Sequence, residues 1–444
     1  MSSDLNQKAI FNARRLGYPK VFLLGTQHMF AMFGATVLVP VLTGLPVATT
    51  LLFAGIGTLI FHYITKLQVP AFLGSSFAFI GGYLTIKSIG VDMGMTEKLA
   101  LDYACVGVFF AGLLYFVVAL LVKMFGVDRV MRFFPPVVTG PIVISIGLVL
   151  SGSAIEHCQQ NWIVAFAALF MVVIANIWGK GFVRIIPIII GVIGSYVLAV
   201  FMGEVNFESL KHAPWIGLPF DYDASVLAVF AKPDYTFLIS AILAIVPIAV
   251  ATIVEHIGDM CAISSTIGKN CLEDPGLHRT LMGDGIATSI ASLFGAPANT
   301  TYGENTGVLN ITRVFDPMVI RLAAIFAIVL SFCPKVSELI RLMPPATIGG
   351  VSLILYGMIS AVGIRNLVEA KSDLVSSRNV IVVATILVLA IGIKYGANDQ
   401  ILIGDVQLSG LAVSAIVGVF MNAILPRDHS PVEDPVTKTD KKNS

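Results

Sequence analysis

The sequence predicts an all-α polytopic membrane protein of fourteen transmembrane segments, arranged as two inverted sets of seven with the third and tenth segments broken. Three observations lead there: the scarcity of charge, the blocking of apolar residues, and motifs of the first half that recur in the second. Hydrophobic residues make up 56% of the 444 and charged ones only 12%, about half the charge of a soluble domain. A water-soluble fold of this composition would expose apolar patches large enough to aggregate. The apolar residues also fall in runs of roughly 18–25, the length that crosses about 30 Å of hydrocarbon as helix.

Reading those runs between turn and charge signals places segments at 21–42, 47–65, 75–88, 99–122, 136–155, 162–178 and 185–202 in the first half. The second half gives 236–258, 280–295, 304–315, 318–340, 346–364, 379–394 and 410–426. The third and tenth are too short to cross alone. Each follows a Pro-containing extended stretch, Val69-Pro70-Ala71-Phe72-Leu73-Gly74 before one and Ala296-Pro297-Ala298-Asn299-Thr300-Thr301-Tyr302-Gly303 before the other. Short, interrupted segments at matching places in two halves point to the substrate site of a transporter.

The halves match in order. Gln27-His28 lies in the first segment and Glu255-His256 in the eighth; Ser76 follows Gln27 by 49 residues, as Glu304 follows Glu255. Pro135-Pro136 through Gly140 heads the fifth segment, and Pro344-Pro345 through Gly349 heads the twelfth. Seven segments per unit is an odd number, so the second unit lies upside down relative to the first. The first repeat then covers 21–205 and the second 236–426, with an outer loop at 206–235. Segments 1–20 and 427–444 flank them and read as disordered, being polar and poor in apolar residues.

Lysine and arginine set the orientation. With the N-terminus inside, inner segments carry 21 of the 28 basic residues and outer ones carry seven. The outer loop is acidic instead, with Glu204, Glu208, Asp221, Asp223 and Asp234 in or beside it. The expected location is the cytoplasmic membrane, multi-pass, with both termini cytoplasmic. The stretch MSSDLNQKAIFNARRLGYPK lacks the short apolar core of a signal peptide, so the first span is expected to insert as part of the mature protein.

Several function classes drop out. A balance of 28 basic and 27 acidic residues argues against nucleic acid. Five scattered cysteines have no metal-ligand spacing, so neither a metal, a cofactor nor a disulfide framework is expected. No H-E-x-x-H or nucleophile–base pair supports an intramembrane enzyme, and no catalytic residue is assigned. The sequon-like Asn299-Thr300-Thr301 and Asn310-Ile311-Thr312 lie at membrane depth, where glycosylation does not reach.

An ionisable residue inside a span is costly and marks a candidate functional position. His62 and Asp102 lie near span ends and are expected to be solvated. Asp284 is expected to cap or pair within the ninth segment, and His28 and His256 to tie helices together. Glu255, Asp259 and Glu304 differ. The first two are four residues apart, so both carboxylates project from one helix face. Glu304 opens the broken tenth segment beside Gly303, where helix geometry leaves backbone N–H groups unpaired. Gly74-Ser75-Ser76-Phe77 supplies the matching helix start in the third segment. Two helix N-termini facing one cavity suit acceptor oxygens or an anion, and carboxylates beside them suit ring N–H donors, protons or a cation. A planar solute with alternating C=O and N–H groups satisfies both sets. The structural alternative is that Glu304 caps its helix while Glu255 pairs with Asn299 or a backbone group.

At these residues the chain resembles a known family. The stretches at 27–45, 70–80, 273–288 and 299–315, with NTTYGEN the most specific, are similar to uracil permeases of the nucleobase–cation symporter-2 family. That likeness runs from about residue 15 to 426. It implies a core domain of segments 1–4 and 8–11, a gate domain of segments 5–7 and 12–14, and a short strand in each broken segment. It implies that Glu255 and Glu304 accept hydrogen bonds from the uracil ring while backbone amides of Phe77 and Gly303 donate to its carbonyls. Ala35 and Tyr302 would shape the pocket, and Tyr356 would lie on the gate side. Uptake would be coupled to protons through Glu255, Asp259 and Glu304. Membrane lipid is an expected partner, and a homodimer through the gate domain fits the resemblance. Uracil permeases usually carry histidine where this chain has Asp259, an aspartate more common in the xanthine and urate branch. A xanthine or other purine symporter is therefore the alternative, with a passive facilitator behind it.

Overall fold

The computed structural model describes residues 9–131, 135–220, 226, 229–230, 233–397, 399, 401–403 and 406–426. Asp221, Asp223 and the tail 427–444 lie outside those residues. The principal elements of the first half are helices α1 (Tyr18–Thr43) and α2 (Val47–Ile64), strand β1 (Leu73–Ser75), and helices α3 (Ile80–Asp92), α4 (Glu97–Phe125), α5 (Pro136–Cys158), α6 (Trp162–Ile177) and α7 (Pro187–Phe201). The second half holds α8 (Tyr235–Ile245), α9 (Ile248–Ile267), α10 (Leu277–Leu293), strand β2 (Asn299–Thr301), α11 (Gly303–Thr312), α12 (Pro317–Ser331), α13 (Pro334–Arg341), α14 (Pro345–Glu369), α15 (Ser377–Gly396) and α16 (Gly410–Ile424). Many starts are written in proline: α5, α7, α12, α13 and α14 each carry one in the first turn, where no N–H is needed.

Every predicted segment falls on one or two of these elements. Among the described residues seven helices are long and apolar enough to cross a membrane, with α8 and α9 counting as one, and the bent α12–α13 pair would make an eighth. Two boundaries differ from expectation. The eighth segment was expected to end at 258, but α9 continues to Ile267 and closes on Gly268 in the left-handed conformation. The eleventh, expected to be continuous over 318–340, bends by 84° between α12 and α13. Pro334 lacks the N–H and sterically excludes the preceding turn, so the helix restarts there.

The helices pack in two groups. α4 lies along α10, α3 and α8, and α2 lies along α12 and α10, while α5 lies along α14, α15 and α16 and α6 along α7 and α14. Glycine allows the closest crossings. A methyl at Gly140 of α5 would come within 2.7 Å of Leu367, and one at Gly363 of α14 within 2.6 Å of the Gly140 carbonyl. Gly112 of α4 and Gly285 of α10 oppose each other the same way: a methyl at either would fall 2.7 Å from the other's carbonyl oxygen. Small residues at facing positions let helix backbones approach where no hydrophobic effect distinguishes helix from lipid.

Three expectations are corrected. The N-terminal segment was expected to be disordered, yet residues 9–17 are docked: Ile10 exchanges backbone hydrogen bonds with Arg313 and Phe315, and Ala13 N–H donates to Asp316 Oδ2 at 2.8 Å. Phe11 meets the edge of Phe315 at 5.5 Å, which gives this polar stretch an apolar anchor. His62 is fully buried rather than solvated, its Nε2 lying 2.8 Å from the Ala71 carbonyl. Asp102 is also buried, because α4 starts at Glu97 and leaves it more than a turn inside the helix.

Candidate functional site

The two broken segments meet. β1 and β2 pair antiparallel, with Leu73 opposite Thr301, Gly74 opposite Thr300 and Ser75 opposite Asn299. Ladder bonds continue beyond both ends, from Ser76 N–H to the Ala298 carbonyl and from Tyr302 N–H to the Phe72 carbonyl. An exposed two-stranded ribbon is marginal on its own; here it is held from both sides by threonine. Thr58 of α2 accepts from Leu73 N–H at 2.9 Å, and Thr288 of α10 accepts from Asn299 N–H at 3.2 Å. Each hydroxyl sits on the helix before the strand it holds, and each meets the strand's first residue. Replacing either by valine leaves a buried N–H unpaired, so Thr58→Val and Thr288→Val should each cost about 1–3 kcal/mol. Thermal unfolding of purified protein, read by intrinsic fluorescence, checks this.

Tyr302 joins the strands to α1. Its hydroxyl donates to the Ser75 carbonyl at 2.8 Å and receives a 3.3 Å hydrogen bond from Thr36. Ser75 Oγ donates in turn to the Thr36 carbonyl at 2.7 Å. The ring lies over Gly74 so closely that any β-carbon there would overlap it.

Past each strand the chain turns into a helix. Phe77 begins a short 3-10 turn that leads into α3, and Gly303 is the first residue of α11, with Glu304 in its first turn. Asp259 of α9 accepts a 2.7 Å hydrogen bond from Thr301 Oγ1, fastening that helix to β2. Glu255 stands one turn earlier on α9, and the charges of Asp259 and Glu304 both act on it. Phe77, Glu255, Asp259 and Glu304 are partly accessible and Gly303 is exposed, whereas the strand residues around them are buried. The structure thus brings five of the predicted positions together beside the strand crossing, each of them at least partly accessible. Ala35, Tyr302 and Tyr356 are buried, at 1%, 4% and 1% exposure, so they stand behind the surface rather than on it. Tyr356 belongs to α14, in the other group of helices, with Ser352 and Ser153 beside its hydroxyl.

Other polar residues tie these helices to one another. Asn305 of α11 donates to the His28 carbonyl at 3.1 Å and stands 3.1 Å from His28 Nδ1, tying α11 to α1. His256 Nδ1 and Asp284 Oδ2 lie 2.9 Å apart, both fully buried, and join α9 to α10. Asn299 does not pair with Glu255; its amide donates to the Phe53 carbonyl at 3.3 Å. Sequence reasoning missed the hydroxyls of Thr36, Thr58, Thr288 and Thr301, because a threonine in an apolar run gives no signal until its partner is known. Among the described residues no three His, Cys, Asp or Glu side chains converge as metal ligands.

Comparison with known proteins assigns the chain to a family. A family described as the permease family matches residues 19–398. The chain belongs to that family. The uracil permease of Bacillus subtilis (strain 168) is 42% identical over 414 residues, covering 90% of this chain and 91% of the relative. The uracil permease of Escherichia coli (strain K12) is 38% identical over 431 residues, covering 95% and 94%. Among solved structures, the transmembrane domain of a cyanobacterium bicarbonate transporter superposes with a TM-score of 0.57 at 15% identity, over 94% of this chain and 99% of that one. The permease is a multi-pass membrane transporter and not an enzyme.

Proposed function

We propose that this permease imports uracil across the cytoplasmic membrane by proton symport with alternating access. The observation that carries the reading is the nearness of acceptors and donors to one another. Glu255 and Glu304 supply accessible carboxylate acceptors beside the strand crossing, and the helix starts at Phe77 and Gly303 bring backbone N–H groups that have no partner within the helix. A pyrimidine-dione ring carries both complements on one edge. The names of the Bacillus and Escherichia relatives agree with this substrate. Uptake of labelled uracil into proteoliposomes, competed by unlabelled uracil, thymine, xanthine and hypoxanthine, tests the assignment. Stronger competition by xanthine than by uracil would move it to the purine branch. Collapse of accumulation by an uncoupler tests proton coupling, and uncoupler-insensitive uptake would leave a passive facilitator.

For the architecture we read fourteen segments in a seven-plus-seven inverted repeat, with both termini cytoplasmic. The antiparallel strands and the matched roles of Thr58 and Thr288 support it, since inverted units approach a shared centre in opposite senses. α1–α4 with α8–α13 would form the core and α5–α7 with α14–α16 the gate, a division that follows the two packing groups.

Asp259 would serve coupling rather than binding. Its contact with Thr301 means that Asp259→Asn keeps an acceptor oxygen for β2 while losing the charge. Gradient-driven uptake should then fall several-fold, with counterflow exchange nearly intact. Asp259→Ala also removes the acceptor, leaves the Thr301 hydroxyl unpaired, and should reduce both. Equal loss of both activities in Asp259→Asn would place this residue in the binding site.

A further inference from the structure

We propose that the groove between α4 and α10, at the end that carries Lys123 and Arg279, is a binding site for an anionic phospholipid. A cavity of about 200 Å³ opens there, lined by Phe116, Ala119, Leu120 and Met282 together with Lys123, His278 and Arg279. Its two kinds of lining are separated. Lys123 in the last turn of α4 and His278 and Arg279 in the first turn of α10 crowd one end, and the charges of Lys123, Arg279 and Lys66 all act on His278. Among the described residues neither Lys123 nor Arg279 has a carboxylate partner; Arg279 Nη1 donates only to the Ile64 carbonyl at 3.3 Å.

Away from the charges the lining is apolar and continues as a stripe. Leu113, Phe116, Val117, Leu120, Leu121 and Met124 of α4 are all exposed large side chains. Their spacing of three and four residues puts them in adjoining rows along the helix. A phosphate with its glycerol fits the charged end, and acyl chains fit the stripe. Unpaired cations at the end of an apolar groove between spanning helices suit a lipid headgroup, whose acyl chains would run along the lipid-facing stripe of α4 directly beside them. This site is separate from the strand crossing and independent of which solute the permease carries.

The test is native mass spectrometry of the full chain released from micelles containing phosphatidylglycerol or phosphatidylcholine. Phosphatidylglycerol should remain bound after phosphatidylcholine has dissociated, and Lys123→Gln and Arg279→Gln should each weaken its retention about fivefold. Lys123 is exposed and makes no hydrogen bond among the described residues, so its variant should fold even where loss of the Arg279–Ile64 contact disturbs α2. Equal retention of the two lipids, or unchanged phosphatidylglycerol retention in Lys123→Gln, would overturn the proposal. Displacement of the lipid by inorganic phosphate alone would also overturn it, by assigning the cations to a free anion.

Discussion

Converting Glu304 to glutamine is expected to weaken uracil binding by roughly one to two decades. The substitution changes few atoms, but it places an N–H donor where the ring's own N–H wants an acceptor. A buried donor left facing a donor costs about 1–3 kcal/mol, and each 1.4 kcal/mol is tenfold in affinity. Glu304 occupies the first turn of α11, where its charge acts on Glu255. The carboxylate also accepts from the backbone N–H of Glu304 itself, so it closes part of its own helix start as well as facing its neighbours, while Asn299, the partner that a purely structural role would give Glu255, is bound to Phe53. Equilibrium binding of labelled uracil to purified protein measures the effect. Wild-type affinity in Glu304→Gln would remove this carboxylate from the site.

Much of this arrangement was legible in the sequence because the membrane restricts what a chain can do. Apolar run length marks spanning helices directly, and backbone without a helix at membrane depth must be held by protein, so the Pro70 and Pro297 stretches had to be special. The pairing of Glu255 with Asp259 on one face followed from helix periodicity alone. What could not be read was the partner of each polar group. Thr301 gives no hint that it holds Asp259, and nothing near His62 announces that the Ala71 carbonyl will bury it. Asp102 was misjudged for a related reason: its distance from the water depends on where α4 begins, and Thr96, which caps that helix through Leu99 N–H, lies three residues before the apolar run. The docking of residues 9–17 was missed because it depends on long-range partners, Arg313, Phe315 and Asp316, and such contacts have no periodic signature.

Gly303→Val is expected to abolish uracil binding while leaving the protein folded. Gly303 does not have positive φ, so a β-branched residue can take its backbone conformation at the helix start. A β-carbon there would meet only Asp259 Oδ1, at 3.9 Å, an ordinary contact that requires no movement. The added methyl groups therefore enter the open space, on the side where the backbone amide would have to reach the solute. Gly74 provides the contrast, one strand away. A β-carbon at Gly74 overlaps the Tyr302 ring and crowds Thr36 Oγ1 at 2.7 Å, so Gly74→Ala should damage the ribbon itself and lower the yield of folded protein. Gly392 on α15 has nothing within reach of an added β-carbon, and Gly392→Val should change neither property. Size-exclusion profiles and uracil binding, measured on all three variants, separate a filled site from a broken scaffold. If Gly303→Val binds uracil normally, backbone at the start of α11 does not contact the solute, and the site lies elsewhere in the cleft.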